Sequence, residues 1–417
     1  MSAELLSLYN SMTRKLEEFQ PLDDKKVTVF TCGPSIYQLP HIGNYRTFLY
    51  EDILVRYLEY LGYKVERILF ITDVEDKAIT QAQKEHIALQ HLTEKNTKAF
   101  LKEFKKLGAK ETKSIAKSST SVRQAVQIIE TLLKKGYAYK YKSNVYYDVL
   151  KFKGFGRLYR LDMSRWPKKK KRRFHKDTYP GNRWNLGDFI LWHGCQNRDE
   201  VCWDASIGRG RPAWNVQDPA MALQTRGMQT DIYCGGVDNM IRHHDYVIAI
   251  TEAVTGKPFA RFWLHGEHLF VDGKKMSKSL GNIIYPKDLI ERGCEWQHIR
   301  FFLINGYYRK RLNFTFAKFK KACDRLHKLK DMVNKLQEIE SFSKSSNKRA
   351  RKLVAKLKED FETNMNNDLH VKDAFDAVFK TVSKLYALAD KGNMSAADFR
   401  ETVAALRSID QVLQVIF

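Results

Sequence analysis

Two short stretches hold side chains whose types and spacing suit the handling of a polyphosphate. His41-Ile42-Gly43-Asn44 offers two side-chain donors around a glycine that lets backbone approach a nucleotide. Far downstream, Lys274-Lys275-Met276-Ser277-Lys278-Ser279 alternates lysines with serines, so two ammonium groups can follow a pyrophosphate as its charge grows. In a transition state one well-placed donor contributes about 3–4 kcal/mol. Taken singly, the first is an ordinary turn and the second a solvated basic loop. In this order, with the first directly after a strand, they point to ATP held between a helix start and a lysine loop.

Periodicity shows which elements must position them. The apolar run Val27-Thr28-Val29-Phe30 reads as a strand that enters a Gly/Pro turn at Gly33-Pro34. A helical pattern then starts at Gly43 and runs through Phe48, Leu49, Ile53, Leu54, Tyr57 and Leu61. Strand, loop and helix N-terminus together gather anions on backbone N–H groups. A second strand is expected over 64–70, a turn at Ile71-Thr72-Asp73-Val74-Glu75-Asp76, and a long helix from Lys77. Alternating strands and helices imply a parallel sheet with right-handed crossovers, and ligands bind beyond the carboxyl ends of such strands.

The expected organisation is a peripheral segment over 1–26 and a first half of the nucleotide-binding domain over 27–110. An insertion and return to the core follow over 111–225, then the second half with the lysine loop over 226–310. After Tyr308 strand signals vanish, and 311–417 reads as a helical bundle with a Ser/Lys-rich linker around Ser341-Phe342-Ser343-Lys344-Ser345-Ser346.

Composition sets the bounds. The 417 residues carry 43% hydrophobic and 12% aromatic residues, which excludes a disordered chain. No apolar run approaches the roughly 20 residues that span a bilayer, and no secretory signal is visible, so a cytoplasmic protein is expected. Net charge is +24, from 72 Lys+Arg against 48 Asp+Glu, which favours a polyanionic partner. The six cysteines form no C-x-x-C pair, so reduced thiols are expected. Lys168, Lys169, Lys170, Lys171, Arg172 and Arg173, flanked by Trp166 and Phe174, read either as a contact for a single-stranded nucleic-acid end or as a solvated loop.

The paired signatures resemble those of class I aminoacyl-tRNA synthetases. The surrounding residues narrow the resemblance to the cysteinyl-tRNA synthetase family: Cys32-Gly33-Pro34-Ser35-Ile36-Tyr37, Leu58 to Tyr63, Ile71 to Lys77, Asp188 to Trp192, Gly210 to Trp214, Gly235-Gly236-Val237-Asp238, His243-His244 and Val271 to Asn282. It covers about residues 27 to 310, and the bundle more loosely. It implies a Rossmann-type α/β catalytic domain with an inserted connective domain, followed by an all-α bundle. The implied activity is formation of an aminoacyl-adenylate from ATP with Mg2+, then acyl transfer to the acceptor end of tRNA. His41, Asn44, Lys275 and Lys278 would stabilise the phosphates. Gly33, Pro34, Gly43, Gly235, Gly236, Asp238, Met276, Ser277 and Ser279 would surround the nucleotide. Cys32, Thr72, Trp214, Asp218 and His243 would line the amino-acid pocket.

The sequence departs from the family pattern where that family holds zinc with Cys, Cys, His and Glu. Those positions fall on Cys32, Asp218, His243 and Val247. Cys32, Asp218 and His243 could form a three-ligand zinc site with an open position. Alternatively the pocket is metal-free, Asp218 meets a polar substrate group and the amino acid need not be cysteine, or Asp218 before Pro219 is only a helix cap. The second His of the first signature is Asn44, and the family's small anticodon-reading domain is not evident before Phe417. Two other functions therefore stay open: a tRNA-independent ligase resembling the mycothiol-pathway cysteine ligase, and a non-catalytic RNA-binding paralogue.

Overall fold

The computed structural model describes residues 5–166, 172–174, 187–195, 201–240, 242–337 and 346–417. It opens with a hairpin, β1 (Ser7–Asn10) and β2 (Lys15–Glu18). Next come β3 (Lys26–Ser35), α1 (Ile42–Tyr60), β4 (Lys64–Thr72), α2 (Asp76–Glu85), α3 (Leu89–Lys106) and β5 (Ser114–Lys117). After α4 (Val122–Lys134) the chain builds a separate sheet from β6 (Ala138–Tyr141), β7 (Asn144–Tyr147), β8 (Arg173–Phe174), β9 (Asp188–Gly194) and β10 (Gly210–Pro212). It returns through α5 (Trp214–Thr225) to β11 (Thr230–Gly236), α6 (His243–Thr255) and β12 (Ala260–Gly266). A small sheet of β13 (Leu269–Val271), β14 (Lys274–Lys275) and β15 (Leu312–Phe314) carries the lysine loop. Between and after these lie α7 (Pro286–Ile290), α8 (Trp296–Ile304), α9 (Phe316–Gln337), α10 (Lys348–Asn366), α11 (Val371–Asp390) and α12 (Ala396–Leu413).

The central sheet runs β12-β11-β3-β4-β5 with every neighbour pair parallel. Parallel strands are buried on both faces, which is why their sequences read as unbroken apolar runs. Val27, Val29 and Leu69 belong to the core beneath α1, whereas Phe30, Ile68 and Phe70 belong to the one formed with α4, α5 and α6. The strand order reverses between β3 and β11. At such a switch point the crossover helices leave on opposite faces and open a crevice beyond the strand ends.

The bundle is fastened to the α1 side by buried polar contacts. Arg300, from α8, meets Asp52 at 2.9 Å and donates to the carbonyl of Leu413 at 2.7 Å, while the Tyr57 hydroxyl donates to Asn366 at 2.7 Å. Several expectations are corrected. The N-terminal segment is not peripheral: Leu6, Leu8 and Phe19 are buried, and Asn10 hydrogen-bonds the backbone of Arg261 and Trp263. The helix expected from Lys77 is two helices, parted at His86, which has φ 52°. Strand structure does not end at Tyr308, because β15 pairs with β13. Cys195 and Cys202 are joined in a disulfide, since Gly210 pairs with both Gly194 and Trp203 and so sets the residues beside those two close together; the other four thiols are free.

Candidate active site

A cavity of about 200 Å³ opens at the switch point. Of the residues expected at a site, Cys32, Gly33, Pro34, Asn44, Thr72, Trp214, Asp218, Gly236, Asp238 and His243 all line it. They reach it from the ends of β3, β4 and β11 and from the first turns of α1, α5 and α6. Sequence reasoning missed Thr47 and Asn239, which also line it. Thr47 was findable, since it stands one helical turn beyond Asn44 on the same face.

At the start of α1, His41 and Asn44 form a reciprocal cap. His41 Nδ1 accepts the Asn44 N–H, and the Asn44 side-chain oxygen accepts the His41 N–H. Burial lowers the His41 imidazole to a pKa of about 4, so it is neutral at physiological pH. With Nδ1 used as an acceptor, the one ring proton sits on Nε2. Gly43 makes room for the lysine loop. A Cβ there would collide with Met276 Cε and crowd the His41 ring.

That loop is closed on itself. The Ser277 N–H donates to Asn282 Oδ1 at 2.9 Å, the Leu280 N–H donates to Ser277 Oγ at 3.3 Å, and the Ser277 and Ser279 hydroxyls lie 3.1 Å apart. The Ile42 N–H donates to the carbonyl of Ile284 at 3.0 Å, tying the helix start to the chain just beyond the loop. Lys275 and Lys278 are exposed, and Lys278 Nζ stands 5.8 Å from the centre of the Tyr37 ring. His268, depressed first by burial, is pulled up by Asp238 and pushed down by Lys275, which places the lysine loop beside the β11 end of the crevice. Gly235 lies just behind that end, where a Cβ would press on the His244 ring.

Around Asp218 and His243 the cavity is walled by a web of buried polar groups. Asp218 lies inside α5 with 3% exposure and is not a helix cap. Its Oδ2 accepts from the Tyr233 hydroxyl and meets His243 Nε2 at 2.9 Å. Trp214 stacks on the His243 ring with centroids 3.9 Å apart and planes 6° apart. Cys32 Sγ faces His244 Nε2 at 3.7 Å and accepts from Asn239 Nδ2 at 3.8 Å. Behind it His244 Nδ1 meets His265 Nε2 at 2.8 Å, and His265 Nδ1 meets Ser11 Oγ at 2.8 Å. Burial pushes the Cys32 thiol well above its ordinary pKa, with the Asp218 carboxylate acting in the same direction.

These residues do not fit the zinc site expected of Cys32, Asp218 and His243. His243 Nε2 and Asp218 Oδ2 are spent on each other, and Val247, at the fourth family position, is an aliphatic group in the core. Among the described residues no group of three His, Cys, Asp or Glu side chains is placed to hold a metal. Of the expected nucleic-acid contacts, Lys168, Lys169, Lys170 and Lys171 lie outside the described residues. Arg172 is exposed, but Arg173 is taken up by aromatic rings, its guanidinium 3.8 Å from the centre of Tyr141. No described helix is long and apolar enough to cross a membrane.

Comparison with known proteins agrees with this geometry. The family described as tRNA synthetases class I (C) catalytic domain matches residues 18–324. The chain is 38% identical over 416 residues to a cysteine--tRNA ligase of Chlamydia pneumoniae, covering 99% of this chain and 87% of that one. It is 35% identical over 410 residues to a cysteine--tRNA ligase of Brachyspira hyodysenteriae, covering 98% and 85%. Among solved structures, a Mycobacterium tuberculosis methionyl-tRNA synthetase bound by methionyl-adenylate superposes with a TM-score of 0.66 at 13% identity, covering 94% of this chain and 92% of that one. A leucyl enzyme of Agrobacterium radiobacter in a ternary complex with tRNA gives a TM-score of 0.65 at 13% identity, covering 95% and 85%.

Proposed function

Because the chain belongs to the cysteinyl-tRNA synthetase family, whose members are ligases that form an aminoacyl-adenylate, we propose that it activates cysteine with ATP and passes the cysteinyl group to tRNA. The observation that carries this reading is the seat of the lysine loop on the start of α1, with Met276 filling the space that Gly43 leaves. It sets the lysine loop against the start of α1, whose Asn44 lines the same cavity as Asp218, His243 and Trp214.

The chemistry follows from that division. The amino-acid carboxylate attacks the α-phosphorus of ATP, the bond to the bridging oxygen breaks, and pyrophosphate leaves with Mg2+ as its counter-ion. Negative charge grows on the leaving group, so donors that are already in place lower the barrier without reorganising. His41 Nε2–H and the Asn44 amide serve at the helix start, where the backbone dipole also favours an anion. Lys275 and Lys278 meet the departing phosphates from outside. Residues near Asp238 and Gly236 take the adenosine side. A ribose hydroxyl of the tRNA end then attacks the carbonyl carbon of the adenylate, AMP leaves as the hydroxyl proton is released, and the net charge of +24 favours the tRNA polyanion. A cytoplasmic place of action suits this reaction.

The test is ATP–pyrophosphate exchange with a panel of amino acids, followed by acylation of unfractionated tRNA. Exchange confined to cysteine, with label on tRNA, is the expected result. Exchange driven by another amino acid, or transfer to a small amine but not to tRNA, would overturn the reading.

A further inference from the structure

We propose that this chain grips the substrate side chain without a metal, through a hydrogen bond from the thiol S–H to His243 Nδ1. The proposal rests on cysteine being the amino acid that enters the pocket. Asp218 Oδ2 is buried against two donors, the Tyr233 hydroxyl and His243 Nε2. A carboxylate oxygen can only accept, so in the neutral His243 ring the proton sits on Nε2 and the lone pair on Nδ1. His243 is 2% exposed and lines the cavity, and its Nδ1 is a buried atom with no hydrogen-bond partner among the described residues.

A buried acceptor left unpaired is costly, and native sites that keep one have a use for it. Here the ring is held in one plane by Trp214. The residue before it, Arg242, adopts φ 75° and ψ −59°, a conformation that side chains other than glycine rarely accept. Such strain persists where the surroundings over-determine a functional position. A pinned imidazole offering one lone pair matches a single weak donor.

A thiol fits that offer and a hydroxyl fits it poorly. Sulfur is large, polarisable and content with one weak hydrogen bond, and the adjacent wall is the Cys32 thiol and the Trp214 ring. A serine hydroxyl is the stronger donor, but it asks for more than one partner. It would also lose hydration of its oxygen in a pocket where the nearby Tyr233 donor already serves Asp218. Asp218 and His243 thus replace, by hydrogen bonding, the discrimination that a metal ion gives through coordination. Asp218 acts as a positioning residue, and His243 touches the substrate.

Calorimetric binding of cysteine, S-methylcysteine and serine to the full chain tests this, before and after treatment with 1,10-phenanthroline, with zinc counted by mass spectrometry. Chelation should change cysteine affinity by less than about twofold. S-methylcysteine, which lacks the S–H, should bind about tenfold more weakly, the scale of one hydrogen bond. His243→Ala should cost a similar factor for cysteine and bring the cysteine to S-methylcysteine ratio near one. His243→Asn, whose side-chain oxygen can stand in for Nδ1, should keep most of the ratio and shows whether loss in the alanine variant is only misfolding. Cysteine binding that vanishes on chelation and returns with zinc overturns the proposal, as does an unchanged ratio in His243→Ala or no cysteine binding in any state. Failure of the catalytic reading is separable: cysteine that binds as described but drives no pyrophosphate exchange removes the enzyme reading and leaves this one standing.

Discussion

His41 and Asn44 cap one helix reciprocally: the Asn44 N–H donates to His41 Nδ1 at 3.3 Å, and the His41 N–H donates to Asn44 Oδ1 at 3.1 Å. The exchange stabilises the start of α1, and it also decides which side-chain donors the pair has left to offer. His41 keeps Nε2–H and Asn44 keeps its amide N–H groups, so both present donors.

His41→Ala should lower the rate of pyrophosphate exchange by about 10²-fold, the loss expected for one transition-state donor. It should also cost about 1 kcal/mol of stability through the missing cap. Asn44→Asp separates the two effects. Its carboxylate still accepts the His41 N–H, so stability in urea should hold, while ATP affinity falls because a donor becomes an anion. Equal losses of stability in both variants would refute the division.

Protonation of His41 should unfold the helix start in acid. Its pKa in the folded chain is about 4, below the ordinary 6.5, because burial penalises the cation. The unfolded chain therefore binds more protons between those values, so stability is full above about 6.5 and declines as pH falls toward 4. Urea midpoints measured over that range should fall less steeply in His41→Asn than in the parent, which isolates this residue from the buried His244 and His265. Between pH 7 and 8 the KM for ATP should not respond to His41, which is neutral throughout.

Gly43→Ala should displace the lysine loop by pushing on Met276. We expect KM for ATP to rise and the exchange rate to fall, with cysteine binding unchanged. Met276→Ala in the same chain should recover much of the loss, since the far end of a flexible side chain is what the new methyl meets. Absence of recovery would place the damage in the His41 ring instead. Lys278→Ala, which leaves the seat intact, should reduce exchange by about 10²-fold with little change in melting behaviour.

Arg300→Ala should destabilise the chain by about 1.5–3 kcal/mol, the loss of a charge-assisted hydrogen bond to the buried Asp52 carboxylate, which keeps Arg56 and the Lys110 N–H as partners. Arg300 is 1% exposed and also donates to the carbonyls of Leu107 and Leu413. Adding Asp52→Asn should return part of the loss in urea denaturation, and a strictly additive pair would argue against the coupling.

Legibility followed the range of the interactions. β3 and β4 were readable because parallel strands buried on both faces announce themselves as apolar runs, and the β3 loop and α1 start were readable because caps and turns are set by near neighbours. The hairpin at residues 7–18 was not. Its place depends on Asn10 reaching β12, 251 and 253 residues along the chain, and nothing local encodes that bond. β15 is three residues long, too short for periodicity, and exists because β13 lies open beside it. The break at His86 carries no glycine or proline to mark it.

The same limit runs through the active site. Spacing in the two signatures was enough to anticipate a capped helix start and a lysine turn, since His41 and Asn44 sit in one short segment and Ser277 to Leu280 in another whose bonds are all local. Asp218 could be read as a metal ligand, a substrate partner or a cap, and all three suited its neighbours in sequence. Only the packing of α5 against α6 and β11 chose, by bringing Asp218 to His243 and Tyr233. A buried hydrogen bond needs both partners within about 3 Å and aligned. Which side chains meet that demand is settled when the elements dock, and no local pattern contains it.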